Sequence, residues 1–241
     1  MQNTVKREDL VTEIAGIINK INLPHPVRVA IDGGGAAGKT TFANELVEPL
    51  QKLGRNVIRS TIDGFHNPPE IRRKQGKYSP KGYYEDSYNY PQLKKYLLEP
   101  LGPNGDLNYR ESVYNFRINE PTNVVTKKAT KNSILIFEGI FLFNEYLFPY
   151  WDYKLFIDAS FEHTMQRAIV RDNKLFGGTE NVITLYKKRY IPGQEMYLSK
   201  HNPISMSDIV LNNNDYKNPI VTRLSKNKLH KNLFHIRNSL Y

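Results

Sequence analysis

Cysteine is absent from all 241 residues. No disulfide framework and no thiolate metal site can therefore form, a composition that suits a cytoplasmic protein. Acidic residues are in deficit, 24 against 34 Lys and Arg, which leaves a formal charge of +10. That imbalance favours an anionic partner and leaves nucleic acid, a membrane surface and a nucleoside triphosphate all open. Long apolar runs are missing as well. None approaches the roughly 20 residues that a membrane span needs, so no membrane partner is expected. There is no internal repeat or low-complexity tract, and residues 1–23 lack the uncharged core of a secretory signal. With 39% hydrophobic and 24% charged residues, the composition is that of a globular chain and not of a disordered one.

What is there alternates between two periodicities. Leu10, Ile14, Ile17 and Ile18 fall on one stripe of an N-terminal helix. Short apolar runs at 27–32, 56–63, 133–139, 153–158 and 208–212 read as five strands. Helical spacing lies between them: 39–53 with Phe42, Ala43, Leu46, Leu50 and Leu53 on one face, 91–98, and a helix capped by Ser160 that runs to about 173. In that last helix Phe161, Met165, Ala168 and Ile169 face inward. Pro49 is expected to kink or shorten the 39–53 helix. Alternating strands and helices predict an α/β fold, a five-stranded parallel sheet flanked by helices. The chain is long enough for one such domain with a mobile lid. We place an acceptor-binding insertion at about 64–130, the lid at about 167–201, and a basic tail, a frayed helix at most, at about 217–241.

The densest signal is IDGGGAAGKTTFANEL, residues 31–46. Gly33, Gly38, Lys39 and Thr40 fit the P-loop pattern G-x-x-x-x-G-K-[ST], with a strand before and a helix after. Glycines let the backbone curl so that the N–H groups of Gly33, Gly34, Gly35, Ala36, Ala37 and Gly38 surround phosphate oxygens. Lys39 reaches the terminal phosphates of ATP, the Thr40 hydroxyl is placed to ligate Mg²⁺, and Thr41 sits at the positive helix end. Two acids close strands on the same sheet edge: Asp63 in TIDGF and Glu138 in LIFEG. Ligands of parallel sheets collect beyond the carboxyl ends of strands. One acid can hold Mg²⁺, with Thr40, while the other takes a proton from an attacking hydroxyl. Both Asp63 and Glu138 are therefore candidate metal ligands.

With those residues in place, 27–212 resembles the uridine kinase family, within the group that includes phosphoribulokinases and type I pantothenate kinases. Asp63-Gly64-Phe65-His66 is similar to that family's Asp-x-Phe-Tyr segment. Phe137-Glu138-Gly139-Ile140 matches its FEGI element, and Tyr114-Asn115-Phe116 its Tyr-Asp-Phe. Asp86-Ser87-Tyr88-Asn89 is similar to its ribose-contacting Asp-Ala-Phe-Asp, Arg171-Asp172 to the end of its lid helix, and Asp208-Ile209-Val210 to its last strand. Tyr186 and Pro192 keep its tyrosine-to-proline spacing. The resemblance implies an ATP- and Mg²⁺-dependent kinase acting on a small-molecule hydroxyl, the 5′-hydroxyl of uridine or cytidine first. It implies Asp63 as catalytic base, Asp86 on ribose, and Tyr114, His66 and Phe65 around the base. Arg167 and Arg171, four apart on one helix face, would close over the phosphoryl group, with Gly177-Gly178 as hinge. The resemblance also admits a homo-oligomer.

This chain departs from that pattern where the acceptor binds. His66 stands for a tyrosine, Asn115 for an aspartate, and the histidine that family uses near the base has no match just after Tyr114, where Asn119 lies close by. Pantothenate, nicotinamide riboside, a sugar or a sugar phosphate therefore stay open as acceptors. A guanine-specific switch would need Asn-Lys-x-Asp, whereas Asn227-Lys228 is followed by Leu-His. A nucleic-acid-associated ATPase has only charge behind it. Arg72, Arg73 and Lys74, with Lys226, Lys228 and Lys231, read as solvated charge, since no nucleic-acid module accompanies them.

Overall fold

The computed structural model describes residues 6–226. Six strands form one sheet: β1 (Val27–Gly33), β2 (Asn56–Thr61), β3 (Ser133–Glu138), β4 (Tyr153–Asp158), β5 (Ile209–Asn212) and β6 (Ile220–Leu224), in the spatial order β6-β5-β4-β1-β3-β2. β1 lies at its centre, with Val29 opposite Ile136 on one side and Tyr153 on the other. Every residue of β1 and β3 is buried, which is why both read as unbroken apolar runs. The five expected strands are present and mutually parallel. The sixth pairs antiparallel with β5, with a register shift between Val221 and Arg223. It lies where a tail was expected, and only Val221 of its five residues is buried. The rest of that tail, residues 227–241 with Lys228 and Lys231, lies outside the described residues.

Helices cover both faces. α1 (Arg7–Asn19), α2 (Lys39–Glu45) and α3 (Val47–Lys52) pack Ile14, Ile17, Phe42 and Leu50 against one side of the sheet. Phe137, Phe141, Trp151 and Leu97 fill the other. The expected 39–53 helix is thus two helices. Pro49 has no N–H to offer the carbonyl of Glu45, four residues back, and the break falls there; Leu53, expected inward, is exposed. The second strand also stops earlier than expected, at Thr61. The chain turns into a single 3₁₀ turn, Ile62–Phe65, whose Asp63 N–H donates to Thr61 Oγ1 at 3.4 Å. Asp63 is therefore in a turn and not at a strand end.

Within the 64–130 segment, α4 (Pro80–Asp86) is followed by two small antiparallel ribbons, Asn108–Tyr109 with Lys127–Lys128 and Tyr114–Asn115 with Glu120–Pro121. The polar stretch after 173 is helical: α5 (Phe161–Phe176), α6 (Thr179–Leu185), a π turn at Tyr186–Tyr190, and α7 (Ile191–His201). Ser160 caps α5 by accepting from His163 N–H at 3.3 Å, as its position predicts. Gly177 and Gly178, both at positive φ, separate α5 from α6.

At the end of the sheet remote from the P-loop, Asp152 holds the buried Arg28. It accepts from Arg28 N at 2.8 Å, Nε at 3.1 Å and Nη2 at 3.1 Å. Removing one partner strands a buried charge, so Asp152→Ala should cost about 3–5 kcal/mol. A urea titration of both proteins measures this; coincident midpoints would mean that Arg28 finds other acceptors.

Candidate active site

The carboxyl ends of β1–β4 open on one edge, and the P-loop spans it. Gly38 holds φ 101°, a conformation that favours glycine, and Asn213 packs directly over it. Asn213 Nδ2 donates to Ala37 O at 2.7 Å, tying the loop to the end of β5, while its Oδ1 accepts from Arg7 of α1 at 3.2 Å. Lys39 is buried and its Nζ donates to Gly34 O at 2.7 Å. Burial pushes the Lys39 ammonium below its ordinary pKa, and the charges of Glu138, Asp32 and Asp63 oppose that. Thr40 and Thr41 are exposed on a groove of about 1160 Å³ that Arg167 and Arg171 also line.

Thr40 Oγ1 donates to Glu138 Oε1 at 3.1 Å. A hydroxyl and a carboxylate side by side at a phosphate cradle are the partial oxygen set that Mg²⁺ takes when waters and phosphates complete its shell. The residues present therefore fit the ion. Asp63 belongs to the same field: enclosure by the cleft raises its pKa, and Lys39, Arg171 and Arg117 pull it down. Its side chain remains 51% exposed, open to an incoming hydroxyl.

His66 lies beside it. A carbonyl can only accept, so the 3.1 Å contact of Nδ1 with Asp63 O places the ring proton on Nδ1 and leaves Nε2 as an acceptor. Burial holds the imidazolium down to about 4, so His66 is neutral at physiological pH. The ring stacks on Phe116 at 4.7 Å and meets the edge of Tyr88 at 4.7 Å. Tyr114 is buried nearby, and its Oη has no hydrogen-bond partner.

Four expected residues are occupied otherwise. Phe65 is fully buried against Phe137, so it is part of the core and not of the acceptor surface. Asp86 is buried with both oxygens engaged, one by Lys74 Nζ at 2.9 Å and the other by Gln75 Nε2 at 2.7 Å, which leaves it poorly placed for ribose. Arg167 Nη2 donates at 2.7 Å to the carbonyls of Asn213 and Asn214. Arg171 forks onto Asp172 at 2.7 and 2.8 Å, although its side chain is 59% exposed to the groove.

A second layer of residues lies behind the P-loop. Asp32, fully buried, accepts from Gly33 N–H at 2.7 Å and from the Tyr197 hydroxyl of α7. Gln194 Oε1, also on α7, accepts from Gly35 N–H at 2.8 Å. The one available signal was an acid inside an apolar strand, at Asp32. Gln194 and Tyr197 are 159 and 165 residues from their partners and carried none.

The sequence model of the Phosphoribulokinase / Uridine kinase family matches residues 28–213. The chain belongs to that family. It is accordingly an ATP-dependent phosphotransferase. Among curated relatives, a uridine kinase of Halalkalibacterium halodurans is 28% identical over 169 residues, 68% of this chain and 75% of that protein. A pantothenate kinase of Corynebacterium diphtheriae is 28% identical over 159 residues, 63% of this chain and 51% of that one. Among solved structures, a possible uridine kinase from Bacillus stearothermophilus superposes with TM-score 0.66 at 20% identity, covering 84% of this chain and 97% of its own. That last likeness shows the fold, which the sheet order and the P-loop already display.

Burial raises the pKa of Asp32 from its ordinary 3.8 to about 6. Between those values the folded state binds more protons than the unfolded one, so this group's contribution to stability is full below about pH 4 and is lost as pH rises to 6. The difference corresponds to about 3 kcal/mol. Asp32→Asn should therefore gain stability on wild type across that window, read from denaturant midpoints at pH 4, 5 and 6. A gap that does not change with pH would contradict the assignment.

Proposed function

We propose that this kinase transfers the γ-phosphoryl group of ATP to a hydroxyl held at Asp63. The observation that carries the reading is a half-exposed carboxylate in the field of a buried P-loop lysine. In the transfer, the acceptor oxygen bonds to the γ-phosphorus as the bridge to ADP breaks, and Asp63 takes the hydroxyl proton. Backbone N–H groups of the P-loop and the Lys39 ammonium hold the phosphates. Arg171 is the arginine free enough to exchange Asp172 for the transferring group, whereas Arg167 braces the loop after β5. Mg²⁺, held by Thr40 and Glu138, would neutralise phosphate charge. Closure of the 167–201 segment about Gly177-Gly178 would exclude water.

The uridine kinases among its relatives support a nucleoside acceptor, uridine or cytidine, with Tyr114 and His66 at the base. A second reading, another small alcohol, draws on Asp86: a ribose-holding acid whose oxygens are both paired has little left for ribose. ATP as donor supports a cytoplasmic location.

Asp63→Asn keeps shape and volume and removes the proton acceptor. It should lower acceptor-dependent turnover by about 10²–10⁴-fold, with ATP affinity unchanged by titration of a non-hydrolysable analogue. Near-wild-type turnover would remove Asp63 from the chemistry. His66, neutral over the whole working range, should add no ionisation near pH 6.5 to the rate profile.

A further inference from the structure

Between the 64–130 segment and the helical segment that follows Gly178 lies a cavity of about 320 Å³. Arg72, Arg73 and Lys77 line one side and Arg189 the other, with His66 at the edge nearest Asp63; among the described residues no carboxylate lines it. The sequence reading counted Arg72 and Arg73 as solvated charge. The structure shows otherwise for Arg72: its Nη2 donates to Asn119 Oδ1 at 2.5 Å, but its Nε, like the nearby Tyr114 hydroxyl, is buried without a hydrogen-bond partner among the described residues. Buried donors left unpaired are uncommon and costly in folded proteins.

The cavity's frame is braced, and no carboxylate among its lining residues offsets its cations. Arg189 is buried and donates to the carbonyls of Gly76, Lys77, Ser79 and Arg72 at 3.2–3.3 Å. That brace fixes the loop from which Arg73 and Lys77 project. Neither side chain has a hydrogen bond or ion pair among the described residues. Asp86, the buried acid of this segment, is already neutralised by Lys74. Burial lowers the pKa of the Arg72 and Arg189 guanidiniums, and the nearby Arg73 charge adds to that. Cationic donors with spare hydrogen-bonding capacity around a cavity without a carboxylate match one chemistry, an oxyanion.

We propose that the acceptor alcohol carries an anionic group, phosphate or carboxylate, seated in this cavity by Arg72, Arg73 and Lys77. The inference rests on the kinase reading above and favours its second acceptor reading, another small alcohol, over a neutral nucleoside. His66 joins the two ends: its Nδ1 touches Asp63 O, and it borders the cavity. A hydroxyl at Asp63 and an anion in the cavity are thus ends of one bound molecule, with His66 Nε2 accepting from a group between them. A neutral nucleoside would leave the buried donors unpaired, and a site built for a polar group discriminates strongly against analogues that lack it.

The test uses the full chain and the double variant Arg73→Ala/Lys77→Ala, both exposed positions that pack against nothing essential to folding. Calorimetric titration, with a non-hydrolysable ATP analogue saturating the P-loop, uses inorganic phosphate, ribose 5-phosphate, glycerate and uridine as probes. Wild type should bind a phosphorylated or a carboxylated probe better than uridine, and the variant should lose about tenfold or more of that affinity. The two anionic arms decide between phosphate and carboxylate. In turnover assays the same variant should raise KM for the anionic acceptor with a smaller change in kcat. Tightest binding of uridine, or anion binding unchanged in the variant, would overturn the proposal. Uridine-stimulated turnover without anion binding would overturn it while keeping the kinase reading. Anion binding lost in the variant, with no acceptor ever phosphorylated, would sustain the site and remove the kinase reading instead.

Discussion

A buried ammonium at the mouth of the sheet organises everything around it. Lys39 sits where desolvation disfavours its charge, and the protein answers with acids from three strand ends or their following turns: Asp32, Asp63 and Glu138. Each comes from a different part of the chain, and only the parallel register of β1, β2 and β3 brings them to one edge. The sheet is therefore the means by which one lysine acquires its counter-charges. Their settings differ: Glu138 lies beside the Thr40 hydroxyl, Asp63 is open to solvent, and Asp32 is sealed beneath the loop.

The sealed one explains why α7 matters to a loop more than 150 residues away. Tyr197 donates to Asp32 and accepts from Phe143 N–H at 2.9 Å, while Gln194 meets the amide of Gly35. The P-loop is thus gripped from both sides, by α7 and by Asn213 at the end of β5. Lys39 and Thr40 thus follow a loop held by Asp32, Gln194 and Asn213. Preorganisation of this kind is what gives fixed dipoles and charges their catalytic weight.

Much of this was legible because its signals are local. The P-loop is a contiguous pattern, Glu138 closes an apolar run, and the Ser160 cap announces α5. Legibility ended where pairing is long-range. Nothing near Asp86 in the sequence shows that Lys74 and Gln75 fold back onto it, and nothing near Arg167 shows that two carbonyls after β5 will claim it. Phe65 lay in a motif-like segment, yet a wholly buried ring belongs to the core. Asp63 was read one structural step out of place because a 3₁₀ turn leaves no periodic trace over four residues. The edge strand β6 was missed for the opposite reason: half-exposed and irregular, it lacks the alternation by which strands are recognised.

The most direct measurement is the mass of the acceptor after incubation with ATP and Mg²⁺, across neutral, carboxylated and phosphorylated alcohols, with DNA and RNA as controls. The account predicts that one small alcohol gains a single phosphoryl group, in step with ADP formed, and that nucleic acid changes neither. ADP formed with no acceptor modified, or formed only when DNA or RNA is added, would contradict it.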